Sequence, residues 1–265
     1  MSVSQIIIVY EDSDVLIIDK PSGLLTHPVR SSRAGGPEGT RDFIASATSN
    51  GTHPKNKNDQ SESVVGWLLK NYPEIAKVGE NPMRPGIVHR LDKETSGLLV
   101  IAKNQKSFDY LKKLFQERKI KKTYIALVYG KPENQRGVIE TPLGKLGTKQ
   151  TTRIRGKHQL KERAAITEYE VLKEYADYSL LEAMPRTGRT HQIRAHLKSI
   201  GHPIVCDPIY SGKKLACPPE LGRLFLHAQK LSFTTPSGQA LTAETDLPLE
   251  LAGFLEKLAK NAKLG

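Results

Sequence analysis

The sequence predicts an α+β fold with a mainly antiparallel mixed β-sheet flanked by a few helices. Three observations support it: strand-like apolar runs dominate, helical periodicities are few, and strands often follow one another across a short turn. The first hairpin is typical, because the apolar runs 6–10 and 15–19 flank the polar turn 11–14. A doubly wound parallel fold would instead alternate strands with helices.

The later elements follow the same patterns. Asn104 is the expected cap of a helix running to about Lys119, because apolar residues recur at helical spacing after it. Thr95-Ser96-Gly97 predicts a turn that leads into a buried strand. We expect further strands at 98–102, 122–129, 167–172 and 179–183, a late hairpin within 231–242, and helices at 64–71, 190–199 and 249–264.

Residues 31–63 differ from the rest of the chain in composition. They are rich in Ser, Gly, Asn, Thr and Lys, and Phe43 and Ile44 are their only large apolar residues. Such a segment cannot bury enough apolar surface to offset its ordering entropy. We therefore expect a mobile insertion there, within one catalytic domain spanning 1–265.

The charge of the chain is high and localised. Its 265 residues carry a formal net charge of +12. Segment 103–122 holds eight basic and two acidic residues, and segment 145–163 holds seven and one, so these two segments account for the whole excess. Such concentration favours a polyanionic partner, because phosphate neutralisation releases counterions. A merely solvated surface is the alternative.

Several classes of protein are not indicated. No apolar stretch approaches the ~20 residues of a membrane span, and no signal-peptide pattern is present, so we expect a cytoplasmic protein. Cys206 and Cys217 match no zinc-site spacing and are expected to be reduced. His191 and His196 are five residues apart and would face different sides of a helix, so we expect no metal. The chain has no glycine-rich phosphate loop, which argues against a nucleotide cofactor.

Two dense polar clusters point to one site. The run 88–99, VHRLDKETSGLL, sets the carboxylate of Asp92 beside Arg90 at the entrance to an apolar strand. About a hundred residues later, 187–196 (TGRTHQIRAH) concentrates cationic and hydrogen-bonding groups. Taken alone, an Asp shortly before Thr-Ser-Gly is more typical of a turn or helix cap than of a nucleophile.

The string HRLDKETSGLLVIAKN resembles the signature of the RluA-type pseudouridine synthases, which isomerise uridine to pseudouridine in RNA. The resemblance extends from about Ile6 to Phe254 and implies a curved sheet with an active cleft across its centre. Because the first strand starts near Ile6, we expect none of the separate N-terminal RNA-binding modules that many members carry. The other matching blocks occur in the family's order at 19–24, 122–126, 187–197, 201–210 and 226–228.

The resemblance also implies roles for individual residues. Asp92 would be the nucleophile, attacking either the ribose or the base, and Arg194 would neutralise it. Arg189 is a second candidate partner for Asp92, or a phosphate ligand. Tyr124 would stack on the extruded base; without the resemblance it reads as a core residue. Arg90 would fill the gap left by the flipped nucleotide. The residues expected to contact RNA are His89, Arg90, Lys112, Lys113, Lys119, Lys122 and Arg189.

The resemblance thus implies an RNA pseudouridine synthase, which we expect to be a monomer without metal or cofactor. We expect large-subunit ribosomal RNA as substrate, with transfer RNA second. The main alternative is a non-catalytic RNA-binding or ribosome-assembly factor that uses the same basic segments. A hydrolase with Asp92 as nucleophile is a third hypothesis, which the charge distribution disfavours.

Overall fold

The structure, a computed structural model, describes residues 5–28, 63–146, 149–152, 162–212 and 215–261. The chain divides into two compact units. Unit 1 comprises Met1–Ile120 and Ser232–Ala243, and unit 2 comprises Lys121–Leu231 and Glu244–Gly265. The predicted insertion at 31–63 lies outside the described residues except for Ser63. That residue is buried and is the N-cap of a helix.

Unit 1 contains an antiparallel three-strand array in the order β1-β2-β3. Its centre is apolar because β2 buries four successive residues and β3 is buried along its whole length. Ser96 and Gly97 were predicted as a turn, but they begin β3, where Gly97 pairs with Lys20. The elements of this unit are β1 (Ile7–Glu11), β2 (Val15–Lys20), α1 (Val64–Asn71), a 3₁₀ turn (Pro73–Lys77), β3 (Ser96–Ala102) and α2 (Gln105–Gln116).

The start of α2 confirms the sequence prediction. The Asn104 side chain accepts a hydrogen bond from the Ser107 backbone, and the Ser107 hydroxyl accepts one from the Asn104 backbone, which forms a capping box. The helix ends at Gln116, three residues before the predicted end. There Arg118 adopts a left-handed conformation (φ 58°), and the Lys119 N–H donates to the Leu114 carbonyl in a Schellman-type closure.

Unit 2 is organised around a four-strand antiparallel array in the order β4-β9-β8-β5. One apolar core joins this array to α3 and α4, through Ile193 and Leu197 of α3 and Leu251 and Phe254 of α4. A separate hairpin pairs β6 with β7. The elements are β4 (Lys121–Tyr129), β5 (Arg136–Ile139), β6 (Gly144–Leu146), β7 (Lys149–Thr151), β8 (Thr167–Glu174), β9 (Tyr178–Pro185), α3 (Gln192–Ser199) and α4 (Leu249–Asn261).

The remaining strands are β10 (Leu226–Thr234), which runs from unit 2 into unit 1, and β11 (Ala240–Glu244), which pairs with it as the predicted late hairpin. The mainly antiparallel α+β class is therefore confirmed. Strands β5, β6 and β7 were not predicted, because each has only three or four residues and little apolar content. No helix in the described ranges is long and apolar enough to cross a membrane.

The expectation of reduced cysteines is wrong in this structure. Cys206 and Cys217 form a disulfide with their Cα atoms 4.5 Å apart. The chain turns back between them. The Tyr129 hydroxyl donates a hydrogen bond to the Ala216 carbonyl and accepts one from the Cys206 N–H at 3.5 Å. Neither the spacing of the two cysteines nor the lack of an export-signal pattern carries information about which segments meet in the folded chain.

Candidate active site

The predicted catalytic residues belong to both units, Asp92 to unit 1 and Tyr124 and Arg194 to unit 2. Each is therefore described within its own unit. Asp92 is partly buried, on the loop that leads into β3, where its carbonyl accepts a hydrogen bond from the Thr95 N–H. This loop carries the longest sequence motif in the chain, so the groups that hold its backbone matter for any chemistry at Asp92.

Thr26 fixes the backbone immediately before Asp92. Its hydroxyl donates to the Leu91 carbonyl at 2.8 Å and accepts from the Leu91 N–H at 3.2 Å. Both residues are buried. One side chain thus satisfies both backbone polar groups of a residue that lies 65 positions away in sequence.

The turn after β2 fixes the backbone that follows Asp92. Lys20 is fully buried, and its ammonium donates to the carbonyls of Leu24 at 2.8 Å and Lys93 at 3.2 Å. The Gly23 N–H also donates to Lys93, and the Ser22 hydroxyl donates to the Glu94 carbonyl at 2.7 Å. The Asp92 loop is consequently held on both sides by segment 20–26.

Arg90 is exposed, and its guanidinium contacts His27 Nε2 at 3.4 Å. His27 Nδ1 faces the Pro28 carbonyl, so the neutral Nδ1–H tautomer satisfies both contacts. Burial lowers the pKa of His27, and the charges of Arg90 and Arg84 lower it further. This part of unit 1 therefore presents guanidinium charge beside a neutral imidazole, a chemistry that suits phosphate.

His89 was expected to contact RNA, but its side chain is half-buried. Its Nε2 accepts a hydrogen bond from the Val100 N–H at 3.0 Å, and its ring stacks on Phe115 with centroids 4.7 Å apart. An accepting Nε2 requires the neutral ring. The geometry gives His89 a structural role between β3 and α2.

In unit 2 the carboxylate of Asp207 binds the guanidinium of Arg194 side-on. Nε donates to Oδ2 at 2.7 Å and Nη2 donates to Oδ1 at 2.9 Å. The two side chains are 1% and 0% exposed. Arg194 is thus a buried, oriented cation on α3 and not a surface arginine on the helix rim.

Tyr124 and Lys122 lie two residues apart on β4 and so share one face of the strand. Tyr124 is partly buried against the unit 2 core and pairs with Ala183 of β9. Burial lowers the pKa of Lys122 from 10.5 to about 8. Because Lys122 has already lost part of its hydration on folding, close contact with substrate costs it less further desolvation, which makes it a candidate for that contact.

The segment before α3 is held by Gln192. Its amide oxygen accepts from the Thr187 hydroxyl at 2.7 Å and from the Arg189 N–H at 3.0 Å, and its nitrogen donates to the Ile166 carbonyl at 2.9 Å. The Arg189 Nε donates to the Ala164 carbonyl. Arg189 is thereby anchored to the segment that precedes β8.

The two histidines of this block have different positions. His191 does not lie in the helix as predicted, because it adopts a left-handed conformation (φ 51°) just before α3. His196 lies within the helix, between the Thr167 hydroxyl and the Thr141 carbonyl, each at 2.9 Å. Across the described part of the chain, no group of three or more His, Cys, Asp or Glu side chains could hold a metal ion.

The first basic segment is partly neutralised by local acids. Lys112 pairs with Glu80, while Lys113 and Lys119 both approach Glu117, at 3.9 Å and 2.8 Å. These lysines remain well exposed, and so they can exchange their partners for phosphate. Residues 147–148 and 153–161 of the second basic segment lie outside the described residues.

Sequence reasoning did not assign roles to Thr26, Lys20 or Asp207. Lys20 and Asp207 lie inside the blocks at 19–24 and 201–210 that carry the resemblance, and this was the available signal. Thr26 follows the first of these blocks. Their partners lie 65, 73 and 13 residues away, which explains why local patterns did not reveal them.

Comparison with known proteins agrees with this fold and these motifs. The family model for RNA pseudouridylate synthase matches residues 14–199. A protein of Chloroflexus aurantiacus named as an uncharacterized RNA pseudouridine synthase is 39% identical over 245 residues, which cover 92% of this chain and 66% of that protein. Ribosomal large subunit pseudouridine synthase D of Nitrosomonas europaea is 37% identical over 259 residues, which cover 95% of this chain and 64% of that protein.

A solved structure gives the same fold. Human RNA pseudouridylate synthase domain containing 1 superposes with a TM-score of 0.66 at 24% identity, over 100% of this chain and 97% of that one. The α+β fold and the HRLD and TGRTHQIR blocks define a class of RNA-modifying isomerases. The chain belongs to the RNA pseudouridylate synthase family. It spans about two thirds of the length of the curated relatives it matches.

Proposed function

We propose that this protein isomerises uridine to pseudouridine in structured RNA, with large-subunit ribosomal RNA as its substrate. The observation that carries the proposal is the family match over 14–199, which includes Asp92 on its doubly anchored loop. The +12 charge of this chain supports an RNA substrate, and the name of the Nitrosomonas relative supports ribosomal RNA in particular. Transfer RNA is the second substrate to test.

The reaction breaks the N1–C1′ glycosidic bond and forms a C5–C1′ bond. N1 gains a proton and C5 loses one, so no redox partner or external energy source is required. In the proposed mechanism Asp92 is the nucleophile and Arg194 holds its carboxylate charged and aligned. Tyr124 stacks on the detached base while it turns within the site.

The target uridine must leave its stack before an acid on a protein loop can reach it. Arg90 is proposed to occupy the vacated space, since its guanidinium is exposed and can reach toward RNA. Arg189, Lys112, Lys113, Lys119 and Lys122 are proposed to bind phosphate or the flipped nucleotide. His89, whose Nε2 is bonded to Val100, is proposed to support this region and not to bind RNA itself.

The proposed enzyme is a monomer that acts in the cytoplasm without metal or nucleotide cofactor. The Cys206–Cys217 disulfide bears on this location, because such bonds are rare in a reducing compartment. Thiol labelling of the protein in intact cells tests the point. Two reactive thiols would support the cytoplasm, and an intact disulfide would contradict it.

The activity test uses ribosomal RNA transcribed with uridine carrying tritium at C5, since forming the C5–C1′ bond releases that label. We expect release with the wild-type protein and none with Asp92→Asn, which keeps the size of the side chain. The variant should still bind the RNA with a similar dissociation constant. No release by the wild type on ribosomal or transfer RNA would defeat the proposed activity and leave a non-catalytic RNA-binding protein. Full release by Asp92→Asn would instead show that Asp92 is not the nucleophile.

A further inference from the structure

We infer that Asp207 is a positioning residue for the isomerisation, acting through Arg194. This inference rests on the proposed function, in which Arg194 supports the nucleophilic carboxylate. Asp207 fixes the plane and rotation of the guanidinium and offsets its charge. Neither property can be supplied by the arginine side chain itself, which has four rotatable bonds.

The first support is the geometry of the pair. The contacts of 2.7 Å and 2.9 Å lie on the same edge of the guanidinium, between Nε–Nη2 and the two carboxylate oxygens. A side-on bidentate pair of this kind determines the orientation of the guanidinium plane as well as its position. The Nη1 side of the group is consequently directed away from Asp207.

The second support is that the carboxylate of Asp207 is itself fixed. Its Oδ1 also accepts from the Ile209 N–H at 2.8 Å and the Tyr210 N–H at 3.0 Å. The Tyr210 ring lies against the guanidinium, 5.4 Å from centroid to Cζ, and its hydroxyl accepts from the Gln150 N–H at 2.9 Å. Arg194 is therefore held along one edge and across one face.

The third support is the way the segment around Asp207 is attached to β4. Val205 donates to the Leu127 carbonyl at 2.8 Å and Phe225 donates to the Val205 carbonyl at 3.1 Å. The disulfide at Cys206 ties the residue next to Asp207 to Cys217. The backbone hydrogen bonds of Val205 and the disulfide at Cys206 both restrict movement of Asp207 relative to the sheet of unit 2.

The electrostatic consequence follows from the pairing. An isolated buried guanidinium would stabilise a nearby carboxylate strongly and so make it a poorer nucleophile. A guanidinium already offset by Asp207 offers directed N–H donors with little net charge. It can align a second carboxylate without suppressing its reactivity.

Two substitutions test the inference, each assayed by single-turnover kinetics on folded protein. Asp207→Asn keeps an oxygen for Ile209 and Tyr210, but its amide nitrogen cannot accept from the guanidinium. Asp207→Glu keeps the charge and shifts it by one methylene. We expect the rate constant to fall about 100-fold for Asn and about tenfold for Glu, with the RNA dissociation constant within twofold of wild type.

Glu250→Gln is the control for removal of an arginine-bound carboxylate in the same unit, because it removes the partly exposed carboxylate bound to Arg223 at 2.7 Å and should leave the rate unchanged. If Asp207→Asn does not fold, Asp207→Glu decides alone, since it retains the buried ion pair. An active wild type with a wild-type rate in either folded variant would overturn this inference and leave the proposed function intact. An inactive wild type would overturn both.

Discussion

Replacing Thr26 with Val tests whether the Asp92 loop depends on a single hydroxyl. Val has nearly the same shape as Thr, so the substitution removes the contacts to the Leu91 carbonyl at 2.8 Å and the Leu91 N–H at 3.2 Å without opening a cavity. Thr26 and Leu91 are each 3% exposed, so water cannot replace the lost hydroxyl without local opening.

The size of the effect follows from the two backbone groups left behind. A buried donor or acceptor without a partner costs about 1–3 kcal/mol, so two together should destabilise the protein by about 3 kcal/mol after partial relaxation. For a chain of this length that corresponds to a fall in Tm of about 6–12 °C. A loosened loop also misplaces Asp92, and we expect the rate of pseudouridine formation to fall about tenfold.

The assays are urea unfolding and tritium release per mole of folded protein. Thr26→Ser is the matched control, because it retains the hydroxyl and loses only a methyl group, with an expected loss of about 1 kcal/mol. A Thr26→Val protein as stable and active as wild type would refute the reasoning. So would a Thr26→Ser protein as impaired as Thr26→Val, since the methyl group and not the hydroxyl would then matter.

Four further predictions follow from the structure. Arg194→Met should destabilise the protein by about 3–5 kcal/mol in urea, because Asp207 stays buried without its cation; adding Asp207→Leu should restore most of the stability and none of the activity. Replacing Cys206 and Cys217 with Ser, or adding reductant to the wild type, should lower stability by about 3 kcal/mol, and insensitivity to reductant in a thermal melt would contradict the disulfide. Neutralising Lys112, Lys113 and Lys119 should reduce the slope of log RNA affinity against log salt concentration. The reduction should correspond to fewer than three phosphate contacts, because each lysine already has an acidic partner. An unchanged slope would show that this surface does not bind RNA. Burial holds the pKa of Lys122 at about 8 in the folded protein, against 10.5 in the unfolded chain, so the unfolded chain binds more protons between these two pH values. The free energy of unfolding should therefore rise from pH 8 to pH 10.5 in the wild type relative to Lys122→Met. Parallel stability profiles of the two proteins over this pH range would contradict this.

Elements with a strong local signal were predictable. β2 and β3 are nearly continuous apolar runs, and α2 combines a capping residue with a one-sided apolar face, so their positions follow from short-range interactions. The end of α2 was misplaced because Arg118 adopts a left-handed conformation that usually falls to glycine. β5 has little propensity of its own and forms because β8 supplies its partner.

In the candidate site, too, local patterns were predictable and long-range contacts were not. The motifs around Asp92, Arg194 and Tyr124, through their resemblance to the family, made these residues the candidates for catalysis. The supports of the site were not identifiable, since Thr26 and Lys20 reach residues 65 and 73 positions away. Asp207 is closer in sequence to Arg194, but nothing in its motif indicates which cation it binds.

By itself, the sequence determined the fold class and the basic character of the chain and supplied Asp92 as the candidate acid, because apolar periodicity, charge and motif are properties of neighbouring residues. The tertiary structure alone decided which backbone groups hold the Asp92 loop, which carboxylate orients Arg194 and that the two cysteines meet. These are contacts between segments far apart in the chain, and their formation depends on folding bringing those segments together with their polar groups satisfied.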